Sequence, residues 1–293
     1  MDLRTLGTAQ STAVSIYDRL LERTTEIYRS DSLLLEAPNW ASDGRLVLNG
    51  AGGLWRLGLD GDLIAVELSG VPDLNNDHVL DPDGEHIYLS ANDWQIYRAP
   101  LAGGEGVLVT GNPEIAGLMH FLHGVSPDGE RLAFIGLEPE GDNWWAHANV
   151  FTVSSAGDDY RRLTEGVSPF DGSEYSPDGE WLYVNTERFD GHAQLGRMRA
   201  DGSDLEQLTF DENVNWFPHI SPDGRHASYI SFPPGTEGHP PDVWVEIKIV
   251  DIDDWSSPRT VARVFGGQGS LNVNSWSPDS TRFAFVSYPE NTK

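Results

Sequence analysis

The chain has 293 residues, which allows one or two domains and a real core. With 46 Asp and Glu against 19 Lys and Arg it carries a formal charge of −27, so it repels phosphate, and nucleic acid and acidic membrane surfaces are poor partners. Cysteine is absent and the only lysines are Lys248 and Lys293, which removes disulfides, thiolate metal sites and thiol nucleophiles and leaves little room for Schiff-base or phosphate-loop chemistry.

Residues 1–11 have neither a basic start nor an apolar stretch, so they do not read as a signal peptide. No segment approaches the ~18 apolar residues of a membrane helix. A cytoplasmic location is expected, or a periplasmic one if a leader has been cleaved. Two strands follow, Val14-Ser15-Ile16-Tyr17 and Thr25-Glu26-Ile27-Tyr28. Six near copies of Ser-Pro-Asp-Gly then punctuate the chain, beginning at Ala41, Asp81, Ser126, Ser176, Ser221 and Ser277. The motif has the chemistry of a tight turn: Ser or Asp accepts a local hydrogen bond, Pro presets φ, and the terminal Gly is free to take positive φ. After each turn comes a period-2 strand, as in His86-Ile87-Tyr88-Leu89-Ser90, Arg131-Leu132-Ala133-Phe134-Ile135 and Arg282-Phe283-Ala284-Phe285-Val286.

A short strand before the turn, two more after it and a second turn make four strands per unit. The Asp residues of successive turns lie 40, 45, 50, 45 and 56 residues apart, the period of a propeller blade. The pattern predicts an all-β fold: a six-bladed β-propeller of four-stranded antiparallel blades, one domain over residues 1–293. The sixth unit contains only its first two strands before Lys293, so residues 12–29 are expected to complete the sixth blade with 270–293 and close the ring.

The six turns, together with Arg197-Met198-Arg199-Ala200-Asp201-Gly202-Ser203 and Glu206-Gln207-Leu208-Thr209, resemble the PD-type, WD-repeat-like propellers of the TolB family. The resemblance covers residues 12–293 and implies the fold. Such propellers serve as docking modules, protease domains and lyases, and TolB itself implies a periplasmic partner-binding role. A weaker similarity to oligogalacturonate lyase propellers implies a metal held by His and Gln near the channel, although that ligand motif cannot be matched here residue by residue.

The topology predicts a functional face at the end opposite the Pro-Asp-Gly turns, built from the starts of the first strands and from the loops between second and third strands. Three of those loops are long, 136–149, 186–194 and 232–242. Counting back three and two positions from each turn finds His78, His123, Glu174 and His219. Three histidines in twelve such slots compare with about 0.4 expected by chance. These four residues are candidate catalytic groups and candidate ligands for a divalent Mn, Zn or Ca ion; the alternative is neutral histidines hydrogen-bonded between blades. The long loops add His147, His192 and His239, with Trp144 and Trp145 as either packing or sugar platforms. Gln268 and Asn272, in the Gly-rich connection to the sixth blade, are candidate substrate-binding residues.

No serine-nucleophile elbow, zincin motif, dinucleotide fingerprint or phosphate loop is present, so no nucleotide cofactor is expected. Two functions remain in competition. One is a carbohydrate-processing enzyme of lyase, hydrolase or isomerase type, acting on a small sugar through His and Glu at the channel mouth. The other is a non-catalytic TolB-like module that binds a protein partner and needs an exposed apolar patch there.

Overall fold

The computed structural model describes residues 3–111, 117–143 and 145–290. Six turns close as the sequence requires. Gly44, Gly84, Gly129, Gly179, Gly224 and Ser280 each donate an N–H to the carbonyl three residues back, at 2.8 to 3.0 Å. The glycines take φ between 70° and 87°, while Ser280 holds the same left-handed conformation at 59° without being glycine. Its hydroxyl accepts from Asp223 N–H in the neighbouring turn at 3.0 Å, a contact that glycine could not supply.

Each turn joins the first and second strands of an antiparallel sheet. Blade 1 runs Glu36–Trp40, Leu46–Gly50, Gly53–Leu57 and Leu63–Val66; blade 3 runs Met119–Val125, Arg131–Leu137, Ala148–Ser154 and Arg161–Arg162. Blades 2, 4 and 5 repeat the order, with first strands Leu74–Leu80, Phe170–Tyr175 and Val214–Ile220. Blade 6 takes its two outer strands from the start of the chain. Thr12–Asp18 pairs with Arg282–Ser287, from Ala13 against Ser287 to Asp18 against Arg282, and Arg23–Ser30 lies outside it. Its innermost segment is reduced to a bridge between Trp276 and Phe283, extended by a hydrogen bond from Ala284 N–H to Ser275 O. The expected six-bladed propeller, closed by N-terminal strands, is the observed fold.

The core is divided among the blade interfaces. Leu132 and Phe134 pack toward blade 2 with Tyr88 and Ile96, whereas Ala133 and Ile135 pack toward blade 4 with Leu182 and Val184. Alternate side chains of one strand therefore fill two different clusters, and the period-2 pattern is apolar on both faces. The junction of blades 6 and 1 is built the same way, from Val14, Ile16, Ala284 and Val286 against Trp40, Leu46 and Leu48. Trp40 and Trp276 are buried; Trp181 is only partly so, and its ring is covered by the guanidinium groups of Arg197 and Arg199 at 4.2 and 4.0 Å.

Because residues 12–30 supply both outer strands of blade 6 and, through Val14 and Ile16, part of the packing between blades 6 and 1, deleting residues 1–30 is expected to abolish cooperative unfolding. Thermal melting followed by circular dichroism checks this; an unchanged transition would contradict the closure.

Candidate functional site

The first strand of each blade lines the axis, and in blades 1 to 5 it is bulged. Register breaks fall between Glu36 and Asn39, Leu74 and His78, Leu122 and Gly124, Asp171 and Glu174, and Trp216 and His219. Ala37, Gly172 and Phe217, each four residues before its turn, take φ of 53°, 66° and 54°. A bulge adds a residue to one strand and re-aims the side chains on either side of it. Here it separates two levels of the axis.

Below the bulges, toward the turns, lies a belt of polar side chains that ties blades together. His78 Nδ1–H donates to Asn39 Oδ1 at 2.9 Å, and Asn39 Nδ2 donates to Asn274 O at 2.7 Å. Asn274 Nδ2 donates to Glu174 Oε1 at 2.7 Å, which also accepts from Ile220 N–H at 2.9 Å. Glu174 Oε2 pairs with His219 Nδ1 at 2.6 Å, and His219 Nε2 donates to Leu271 O at 3.0 Å. All five side-chain partners belong to first strands or to the segment that replaces one. Burial lowers the His78 imidazole to about 3, so this histidine is neutral.

His123 stands apart from that belt. It lies in the bulge of blade 3 and its Nε2 pairs with Asp171 Oδ1 of blade 4 at 2.8 Å. Asp171 Oδ2 faces His239 Nε2 at 3.6 Å, so one carboxylate serves two imidazoles. These groups line a cavity of about 180 Å³ together with Asp77, Asn76, Gln268 and Asn272. Trp94, Phe121, Phe217 and Trp145 form much of its wall. Phe217 stacks on His123 with ring centres 5.7 Å apart, and Trp216 meets His239 edge to face at 4.3 Å. The cavity opens at the end away from the Pro-Asp-Gly turns, where the sequence places the functional face.

The four residues of the expected cluster are thus divided: His123 reaches the cavity, and His78, Glu174 and His219 are in the belt. Trp145, Gln268 and Asn272 line the cavity as well, Asn272 Oδ1 also accepting from Gly269 N–H at 2.7 Å. His147 lies 3.7 Å from exposed Glu140, and His192 is bonded to Asp211 O and Gln194 in the 186–194 loop; neither lines the cavity. Trp144 lies outside the described residues. Among the described residues no three His, Asp or Glu side chains converge as a metal-holding set. The residues present do not make the cradle that a divalent ion needs, because Asp171 is shared between two imidazoles and the belt carboxylate is spent on three donors.

Electrostatics separate the two carboxyl groups of the cavity. Burial pushes Asp77 up to about 6, with the charges of Asp171 and Glu36 adding and those of His123 and His239 opposing. Burial acts the same way on Asp171, but the charges and hydrogen bonds of His123 and His239 outweigh it and hold this group well below the usual carboxylate range. For His123, burial works against the charged form and is overcome by Asp171, with Asp77 and Glu174 adding, so its pKa is raised.

Asp77 and Asp171 were not reached by counting back from the turns, since the bulges shift the count, and Trp94 lies in the loop between second and third strands of blade 2. Two signals in the sequence bear on them. Asn75-Asn76-Asp77-His78 is a polar run where an inner strand should be apolar, and Gly172 interrupts a strand directly after Asp171.

The fold is a six-bladed β-propeller closed by its N-terminal strands, and identity of 34% over 96% of the chain to a solved protein provisionally named TolB shows that the chain belongs to the TolB-like family. No protein-family model matches the chain. An uncharacterized protein of Agrobacterium fabrum is 35% identical over 96% of this chain and 94% of its own length. A solved propeller from Agrobacterium tumefaciens, provisionally named TolB, superposes with a TM-score of 0.86 at 34% identity over 96% of this chain and 99% of that one. TolB from Acinetobacter baumannii gives a TM-score of 0.57 at 18% identity, over 94% of this chain and 58% of that one. The oligogalacturonate lyase of Vibrio parahaemolyticus gives 0.58 at 12% identity, over 95% and 77%, and shares the fold.

Asp77 keeps its proton to higher pH in the folded protein than in the unfolded chain, where a value near 3.8 applies. Its contribution to stability is therefore present below about pH 4 and lost as pH rises through about 6, by up to about 3 kcal/mol. Asp77→Asn cannot ionise. Urea unfolding across this range is expected to show the variant gaining on wild type between pH 4 and 7, and parallel stability curves would contradict the assignment.

Proposed function

We propose that the protein is an acid-base enzyme acting on a small carbohydrate at the channel mouth. The observation that carries this reading is the buried His123–Asp171 pair beneath an aromatic-walled cavity of about 180 Å³. Asp171 fixes the His123 ring and favours its charged form, so His123 can give a proton to a leaving or carbonyl oxygen and take one back. His239, on the other oxygen of the same carboxylate, is a second proton-transfer group in reach of the same space. Lyase, hydrolase and isomerase reactions on a sugar all require such a transfer. Trp94, Trp145 and Phe217 offer flat apolar faces to a pyranose, and Asn76, Gln268 and Asn272 offer amides to its hydroxyls. His78, Glu174 and His219 act in this reading as the floor that fixes the inner strands.

The test is product detection by mass spectrometry after incubation with neutral, oxidised, amino and uronic-acid sugars, with and without chelator. The chelator arm addresses the divalent ion expected from the sequence. Turnover is expected in wild type and a loss of about 100-fold or more in His123→Ala, with the melting transition retained. A second reading is the non-catalytic docking module. It is favoured by Trp145, 45% exposed at the mouth, and Trp244, 66% exposed on blade 5. Absence of turnover together with capture of a protein partner that survives His123→Ala would replace the enzyme by the module.

A further inference from the structure

Asp77 differs from every other acidic group near the axis. Its residue is 5% exposed, it lines the cavity, and among the described residues its carboxylate makes no hydrogen bond or ion pair, only its backbone N–H being engaged, by Asn75 Oδ1 at 2.9 Å. The charged and titratable groups that face it are His123, Asp171, His239 and Glu36. Of these, His123 and His239 are turned to Asp171. Glu36 is held by Arg4 Nη1 at 3.0 Å, and that guanidinium is itself committed to Gln268 O at 2.9 Å and Asp242 at 3.0 Å, stacked on Tyr288. Among the described residues no Lys or Arg lines the cavity.

A buried carboxylate with no partner is costly, and burial with aromatic faces around it defines what would relieve the cost: a positive charge that also tolerates ring faces. Trp94, Phe121, Phe217 and Trp145 present four such rings in the same cavity. The net charge of −27 adds a field that draws cations and repels anions.

We infer that the mouth cavity takes an ammonium-bearing ligand, a sugar with a free amino group, whose nitrogen is held by Asp77 between aromatic faces. This rests on the small-sugar reading above and narrows it: Asp77 is a binding and specificity residue, leaving proton transfer to His123. An acetylated amine or a hydroxyl at the same position would leave the Asp77 carboxylate without its counter-charge.

Calorimetric titration of the whole protein with D-glucosamine, N-acetyl-D-glucosamine, D-glucose and cyclohexylamine tests it. Glucosamine is expected to bind at least about tenfold more tightly than the acetylated and neutral sugars at pH 7, with the preference lost at pH 4.5, where Asp77 is protonated, and lost in Asp77→Asn. Should that variant fail to fold, the wild-type pH comparison decides alone. Equal binding of charged and neutral sugars, or a preference that persists at pH 4.5, overturns the inference and leaves the carbohydrate reading standing. Binding of cyclohexylamine but no sugar, lost at pH 4.5, keeps the cation site and overturns the carbohydrate. Binding of none of the four overturns both.

Discussion

Every blade of a closed ring has two neighbours, and so its inner strands must bury both of their faces, as Leu46–Gly50 and Arg131–Leu137 do. That constraint shapes the rest of the molecule. It forces apolar residues onto successive positions, as where Leu132 and Ala133 fill different interfaces, and it makes the sixth interface as necessary as the other five. A chain that left Ala284 and Val286 without Val14 and Ile16 would expose the full face of a blade and an unpaired strand edge. Closure by residues 12–30 meets both demands at once.

With the faces committed to packing, polar chemistry is confined to the two ends and the axis. The turn end is used by Ser, Asp and Gly residues that fix the hairpins. The axis is used twice, and the bulges decide how. Without them, alternation would send Asp171 and Glu174 to opposite sides of one regular strand. With an inserted residue at Gly172, Asp171 turns to the cavity and Glu174 to the belt, three positions apart in sequence and serving different histidines. Phe217 makes the same excursion in blade 5 at a φ that costs a bulky side chain about 1 kcal/mol or more. Its ring then stacks on His123 and packs near His239, so the strained backbone supplies part of the wall that desolvates the pair.

This division also explains what was legible beforehand. Turns, second strands and the missing half of blade 6 were readable because they rest on local chemistry and periodicity: Pro and Gly at fixed places, alternation over five residues, a repeat that stops short. The enriched histidines were readable as an anomaly but not as a geometry. His123 and His219 occupy adjacent slots in the same count and both reach blade 4, yet one meets Asp171 before its bulge and the other Glu174 after it. The choice between them is made by backbone pairing between residues far apart in sequence, and no spacing within either strand records it. Trp94 escaped for a related reason. It sits at φ 68° in a short hairpin loop, where sequence suggests a solvated turn, and only the assembled ring brings it over the cavity.

Membership of a family fixes the scaffold and leaves the chemistry to the residues at the mouth. Here those residues form an asymmetric set. One carboxylate, Asp171, has two imidazole partners within 3.6 Å; the other, Asp77, has none in direct contact among the described residues, although both are buried in the same space. A purely structural cavity would gain by replacing Asp77 with Asn or Leu, because the neutral side chain carries no desolvation cost. A docking surface for a protein segment would gain by moving the carboxylate to the rim, where water lowers that cost. On the reading proposed above, an unpaired carboxylate in an aromatic-walled cavity, near a histidine whose charged form is favoured by its own separate partner, is accounted for by a small complementary ligand that shares the site with both groups. On that reading, the arrangement keeps binding and proton transfer on different groups, so that neither must change its charge state to serve the other.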